Sequence, residues 1–105
     1  MSDAPIDVAE TILAQLGGQR FIAMTGAREF LGDAKVLQFK LPRGAKDGCN
    51  AVRIELDASD TYTVTFYKVG RAPTYKLTTL ASVEHVYSDS LRRVFESHTG
   101  LYTSL

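Results

Sequence analysis

Between residues 37 and 66 apolar and polar side chains alternate in three successive runs. Gln38 and Lys40 separate Leu37, Phe39 and Leu41; Arg53 and Glu55 separate Val52, Ile54 and Leu56; Thr63 and Thr65 separate Tyr62, Val64 and Phe66. A strand turns successive side chains to opposite faces, so a period of two gives each run one apolar face. Three such runs in one short chain call for a half-buried antiparallel sheet, and the buried half needs a second layer over it.

The ends of the chain supply that layer. Asp3 and Pro5 suit a helix start, where backbone N–H groups lack intrahelical partners. Ala9, Ile12, Leu13 and Leu16 then recur at helical spacing, and Gly17-Gly18 stops the helix, expected over Ala4–Leu16. Near the C-terminus Ser88 and Asp89 form a cap and an acidic first turn. Leu91, Val94, Phe95 and His98 make the stripe, Gly100 supplies the left-handed stop, and Leu101 the apolar contact beyond it.

Between these helices, residues 20–25 read as a first strand, with Phe21 and Ala23 on one side and Ile22 and Met24 on the other. Residues 27–34, with Glu29, Gly32 and Asp33, read as a connection carrying one helical turn near Phe30 and Leu31. Pro42 ends the second strand, residues 43–50 form a loop with two glycines, and Asp57-Ala58-Ser59-Asp60 has hairpin-turn composition. A turn at residues 70–73 leads into a fifth strand from 74 to about 83. Leu80, Val83, Tyr87 and Leu91 also fit helical spacing, so residues 80–87 stay open between strand and an early start of the last helix. The expected fold is α+β: a five-stranded antiparallel meander with an N-terminal and a C-terminal helix on one face, in the order α-β-β-β-β-β-α, over a single domain, residues 1–105.

A chain of 105 residues buries roughly two thirds of its unfolded surface, enough for a core without metal or disulfide. Twelve basic residues balance twelve acidic ones, so attraction to nucleic acid or an anionic membrane must come from a local patch. One cysteine, Cys49, and no basic-then-apolar leader point to the cytoplasm, with no membrane partner.

In a meander alternate connections share an end of the sheet, so the 43–50 loop and the 70–73 turn should be neighbours. Lys40, Arg43, Lys46, Lys68, Arg71 and Lys76 then form a basic rim against Asp47 alone. Glu29, Asp33, Asp57 and Asp60 gather at the other end, offset by Arg28 and Lys35. The rim suits a phosphate backbone or an acidic partner protein; its plain alternative is solvated loop charge. The uncovered face would carry Gln38, Lys40, Arg53, Glu55, Thr61, Thr63, Thr65 and Tyr67, with Tyr75 nearby. Aromatic and basic side chains together make a platform for single-stranded nucleic acid, although threonine and tyrosine are also ordinary strand formers. Ile22, Met24 and Val36 projecting there would instead make the face a homodimer surface.

Catalytic patterns are sparse. Gly44-Ala45-Lys46-Asp47-Gly48 lacks the spacing and the Lys-Ser/Thr ending of a phosphate loop, and His85, His98 and Cys49 match no zinc pattern. Cys49, His85 and Asp89 include the residue types of a nucleophilic site but no local signature. Thr103-Ser104-Leu105 has the form of a peptide that adds to a sheet edge. The expectation is a protein without enzymatic activity and without a cofactor.

Three segments carry a resemblance: residues 14–27 around Gly17-Gly18-Gln19-Arg20-Phe21, residues 60–64, Asp60-Thr61-Tyr62-Thr63-Val64, and residues 99–105, Thr99-Gly100-Leu101-Tyr102-Thr103-Ser104-Leu105. With them the chain resembles a family of small uncharacterised proteins of bacterial prophages, plasmids and related mobile elements. The resemblance implies a bacterial or phage cytoplasmic origin and an accessory role, and transfers no functional residue. The loop 43–50 and the turn 70–73 match least. On this reading the chain is a small binding module that docks on a host or phage protein, such as a defence or regulatory protein; the alternative is single-stranded nucleic-acid binding.

Overall fold

The structure is a computed structural model that describes residues 4–42, 45–73 and 75–103, the first four of these in their backbone alone. The element order is α1 (Ala4–Leu16), α2 (Gln19–Thr25), β1 (Arg28–Gly32), β2 (Val36–Lys40), β3 (Ala51–Leu56), β4 (Tyr62–Val69), β5 (Leu77–Val86) and α3 (Leu91–Thr99), with single 3-10 turns at Lys46–Gly48 and Ser88–Ser90. The five strands form one antiparallel sheet in chain order, the expected meander. The helix expected at Ala4–Leu16 has those bounds; its Asp3 cap lies outside the described residues.

Two expectations are corrected. Residues 20–25 are not a strand but the second helix, α2. Gly17 and Gly18, both at positive φ, end α1 and separate it from α2. Phe21 and Thr25, four apart, then face the core. Six residues are too few to separate a period of 2 from one of 3.6, which is why the run misleads. The first strand lies instead at Arg28–Gly32, in the stretch read as a connection. Its register with β2 shifts between Arg28 and Leu31, and Glu29 sits at φ 56. A bulged, charged edge strand has no alternation to recognise.

Residues 80–86 are strand: β5 runs to Val86, and its register against β4 shifts twice. The final helix follows the Ser88–Ser90 turn and ends at Gly100, φ 73, whose N–H donates to the Glu96 carbonyl.

The core lies between the helices and one sheet face. Leu37, Phe39, Val52, Ile54, Val64 and Phe66 point into it from the strands, and Ile12, Leu16, Phe21, Leu91 and Phe95 from the helices. The Phe21 ring meets Phe39 at 5.4 Å and Phe95 at 5.2 Å, both edge to face, the favourable arrangement of ring quadrupoles. His98 stacks on Phe66 at 4.8 Å.

Candidate functional site: the uncovered sheet face

Directly paired residues share a face, so the register defines the side opposite the helices. Across the middle strands the rows are Lys40, Ala51 and Tyr67; Gln38, Arg53 and Thr65; and Val36, Glu55 and Thr63. Among the described residues no helix covers this side. Leu31 of β1 and Leu77 of β5, from opposite edges of the sheet, line the same cavity of about 420 Å³, together with Tyr67, Val69, Ala51, Lys40, Arg53 and Glu29. The face is therefore concave along one diagonal, as strand twist produces. Leu31 is 66 % exposed and Leu77 60 %, so two large apolar side chains stand in water at its lips. A second cavity of about 250 Å³ shares Glu29, Lys40 and Val69 with the first and continues it to Arg28, Asn50, Gly70 and Tyr75.

That continuation reaches the end where the basic loops were expected. The Asn50 side chain fixes the geometry: its Nδ2 donates to the Val69 carbonyl at 3.0 Å, and its Oδ1 accepts from the Val69 N–H at 2.8 Å. This side-chain amide pairs like a strand residue and ties the 45–50 segment to the end of β4. The 70–76 hairpin is closed just beyond, with the Gly70 N–H donating to the Lys76 carbonyl. The loop and the turn share one end of the sheet.

The cations gathered there do not face one way. Lys40 lies on the uncovered face, 3.2 Å from Glu29. Lys46 reaches the last turn of α3, its Nζ 3.4 Å from the Ser97 carbonyl. Lys68 packs along Gly48, and Arg71 and Lys76 are exposed on the turn. Arg43 lies outside the described residues. Arg53 pairs with Glu55 at 3.0 Å, Tyr67 is half-buried in the trough and Tyr75 is exposed beside it.

Several placements change. Glu29 was assigned to the acidic end, but β1 starts beside Lys40, so Arg28 and Glu29 belong to the basic end. Asp33, Asp57 and Asp60 hold the other end with Lys35, whose carbonyl accepts from the Leu56 N–H. Ile22 and Met24 belong to α2 in the helical layer, so of the three apolar residues expected on the open face only Val36 is on that side, and it is buried. Thr61 is buried in the β3–β4 turn, its hydroxyl 2.9 Å from that of Ser59.

The nucleophilic grouping does not assemble. Cys49 is buried at the basic end, where desolvation pushes its thiol pKa up, whereas His85 and Asp89 are exposed by the far end of β5. Among the described residues no group of three His, Cys, Asp or Glu side chains is placed to hold a metal ion, and no helix is long and apolar enough to cross a membrane. Of the Thr103-Ser104-Leu105 peptide, Ser104 and Leu105 lie outside the described residues; Thr103 is fully buried, its N–H and hydroxyl both donating to Glu96 at 2.8 Å while Arg92 donates to its hydroxyl at 3.0 Å.

The residues sequence reasoning missed are the apolar ones: Leu31, Ala51, Val69 and Leu77. They sit in bulged or terminal strand positions where alternation is broken, so periodicity does not single them out. Comparison with family models, with curated proteins and with solved structures found no match.

Proposed function

We propose that this chain is a small non-enzymatic binding module of phage or mobile-element type, working in the cytoplasm, that docks on a host or phage protein through the uncovered sheet face. The observation that carries the reading is the concave face itself. A sheet side left without a helix normally turns polar residues to water, whereas this one holds a trough lipped by Leu31 and Leu77. The acidic-partner expectation attaches to the same place, because the joined cavities carry Arg28 and Lys40 and end at Gly70 and Tyr75, in the turn that bears exposed Arg71 and Lys76. Affinity capture from a bacterial lysate tests it: one protein should be recovered by the wild-type chain and lost with Leu77→Asp, which is exposed and should leave the fold intact. Equal recovery by both, or recovery of nothing, overturns the reading.

A second reading, single-stranded nucleic-acid binding, is favoured by Tyr67 and Tyr75 lining the two joined cavities among basic residues. It predicts oligonucleotide affinity that falls steeply with salt and is weakened about 1–3 kcal/mol by Tyr67→Ala. Absence of binding at low salt removes it.

A further inference from the structure

Resting on the docking reading of this face, we infer that the occupant is an amphipathic α-helix of a protein partner, apolar along one stripe and acidic at the end that meets Arg28, Arg71 and Lys76.

Width comes first. Leu31 and Leu77 stand on the first and fifth strands, four strand spacings apart across the sheet and about four residues apart along it, about 23 Å were the sheet flat, and the curl brings them into one cavity. A helix about 10–12 Å across fills such a trough, whereas a single extended segment leaves its lips unfilled. The cavity of about 420 Å³ takes the few apolar side chains that one helical face presents at i, i+3, i+4 and i+7.

The sheet edges argue the same way. Adding a strand needs a regular free edge, and both edges here are bulged: β1 with Glu29 at φ 56, and β5 with two register shifts and His85 at φ 59. A second copy of the chain fits poorly, because two concave faces cannot fill one another. Charge selects the sign of the partner. Arg28 and Lys40 line the joined cavities against Glu29, Arg53 is paired with Glu55, and the end lined by Gly70 and Tyr75 belongs to the turn that carries exposed Arg71 and Lys76. Glu29 borders both cavities, where it would repel a continuous phosphate backbone.

The test uses three synthetic peptides of about 18 residues, roughly five helical turns. One carries a leucine stripe with glutamates toward one end, one replaces its glutamates by lysines, and one scrambles the order so that no stripe remains. Binding to the full chain is followed by amide NMR shifts up to about 1 mM peptide. The acidic striped peptide should bind, with shifts at Leu31, Ala51, Tyr67, Val69 and Leu77. The lysine and scrambled versions should bind at least tenfold more weakly, and Leu77→Asp should abolish the shifts. Equal binding of the lysine or scrambled version, shifts on α1 or α3 instead, or no binding overturns the helix inference. If lysate capture still depends on Leu77 in that event, docking stands and only the helical occupant falls. Binding of oligo-dT at the same residues in place of the acidic peptide would reassign the trough to nucleic acid.

Discussion

Thr103 ties the end of the described chain to two other parts of the fold. Its backbone N–H and hydroxyl both reach Glu96, its hydroxyl also accepts from Arg92, and its carbonyl lies close to Gly17, so it joins α3 to the α1–α2 corner. Thr103→Val keeps the shape but removes two of those bonds. The expected loss is about 1–2 kcal/mol by chemical denaturation, with no cavity contribution. The same contacts, the Thr103 N–H first and its hydroxyl next, hold the Glu96 carboxyl below its ordinary pKa. A depressed carboxylate stabilises the fold above the unfolded pKa, about 4.3, and that contribution fades as pH falls through the lower folded value. The melting temperatures of the wild-type chain and Glu96→Gln should therefore differ most near neutral pH and converge as pH falls through the lowered pKa of the folded state. A constant gap across that range contradicts the clasp.

Two helices end by the same device. Phe21, Thr25 and Gly26 close α2, and Phe95, Thr99 and Gly100 close α3. In each the threonine hydroxyl donates to the phenylalanine carbonyl at 2.8 Å and accepts from the N–H two residues on at 3.2 Å, while the glycine takes positive φ. Gly26→Ala and Gly100→Ala should each cost about 1–2 kcal/mol from left-handed backbone strain. Gly26 should cost more, because a Cβ there meets Pro42 at 3.0 Å whereas at Gly100 its nearest neighbour is 3.9 Å away. This repeat was the available sign that residues 19–25 are helix. The alternation of residues 37–66, the flanking helices and the glycine stop at 100 are visible in sequence because each follows one period or one steric rule. What stayed hidden depends on tertiary context. A six-residue helix-or-strand run is settled by what Phe21 packs against, and β1 exists because β2 offers an edge to pair with, not because residues 28–32 favour a strand. The candidate site divides the same way: Lys40, Arg53, Tyr67 and the neighbouring loops followed from the meander, whereas Leu31 and Leu77 entered only with the curl of the sheet.

At the scale of the molecule, a neutral chain separates its charge along the strands, basic where the 45–50 and 70–76 segments meet and acidic around Asp33, Asp57 and Asp60. Arg71→Glu combined with Lys76→Glu should change stability by less than about 1 kcal/mol, since both are exposed, while weakening an acidic partner and flattening the salt dependence of its binding. Large destabilisation would mean that these cations are structural. The central claim is that partners are held by the concave face and not by the helical layer. The most direct measurement is hydroxyl-radical footprinting of the chain alone and in the complex captured from lysate, because the exposed side chains supply their own controls. Leu31, Tyr75 and Leu77 border the trough, whereas the equally exposed Tyr87 and Tyr102 lie outside it. Labelling should fall at Leu31, Tyr75 and Leu77 in the complex and stay unchanged at Tyr87 and Tyr102; protection of Tyr87 and Tyr102 with Leu31 and Leu77 still labelled would place the partner elsewhere and contradict docking on the concave face.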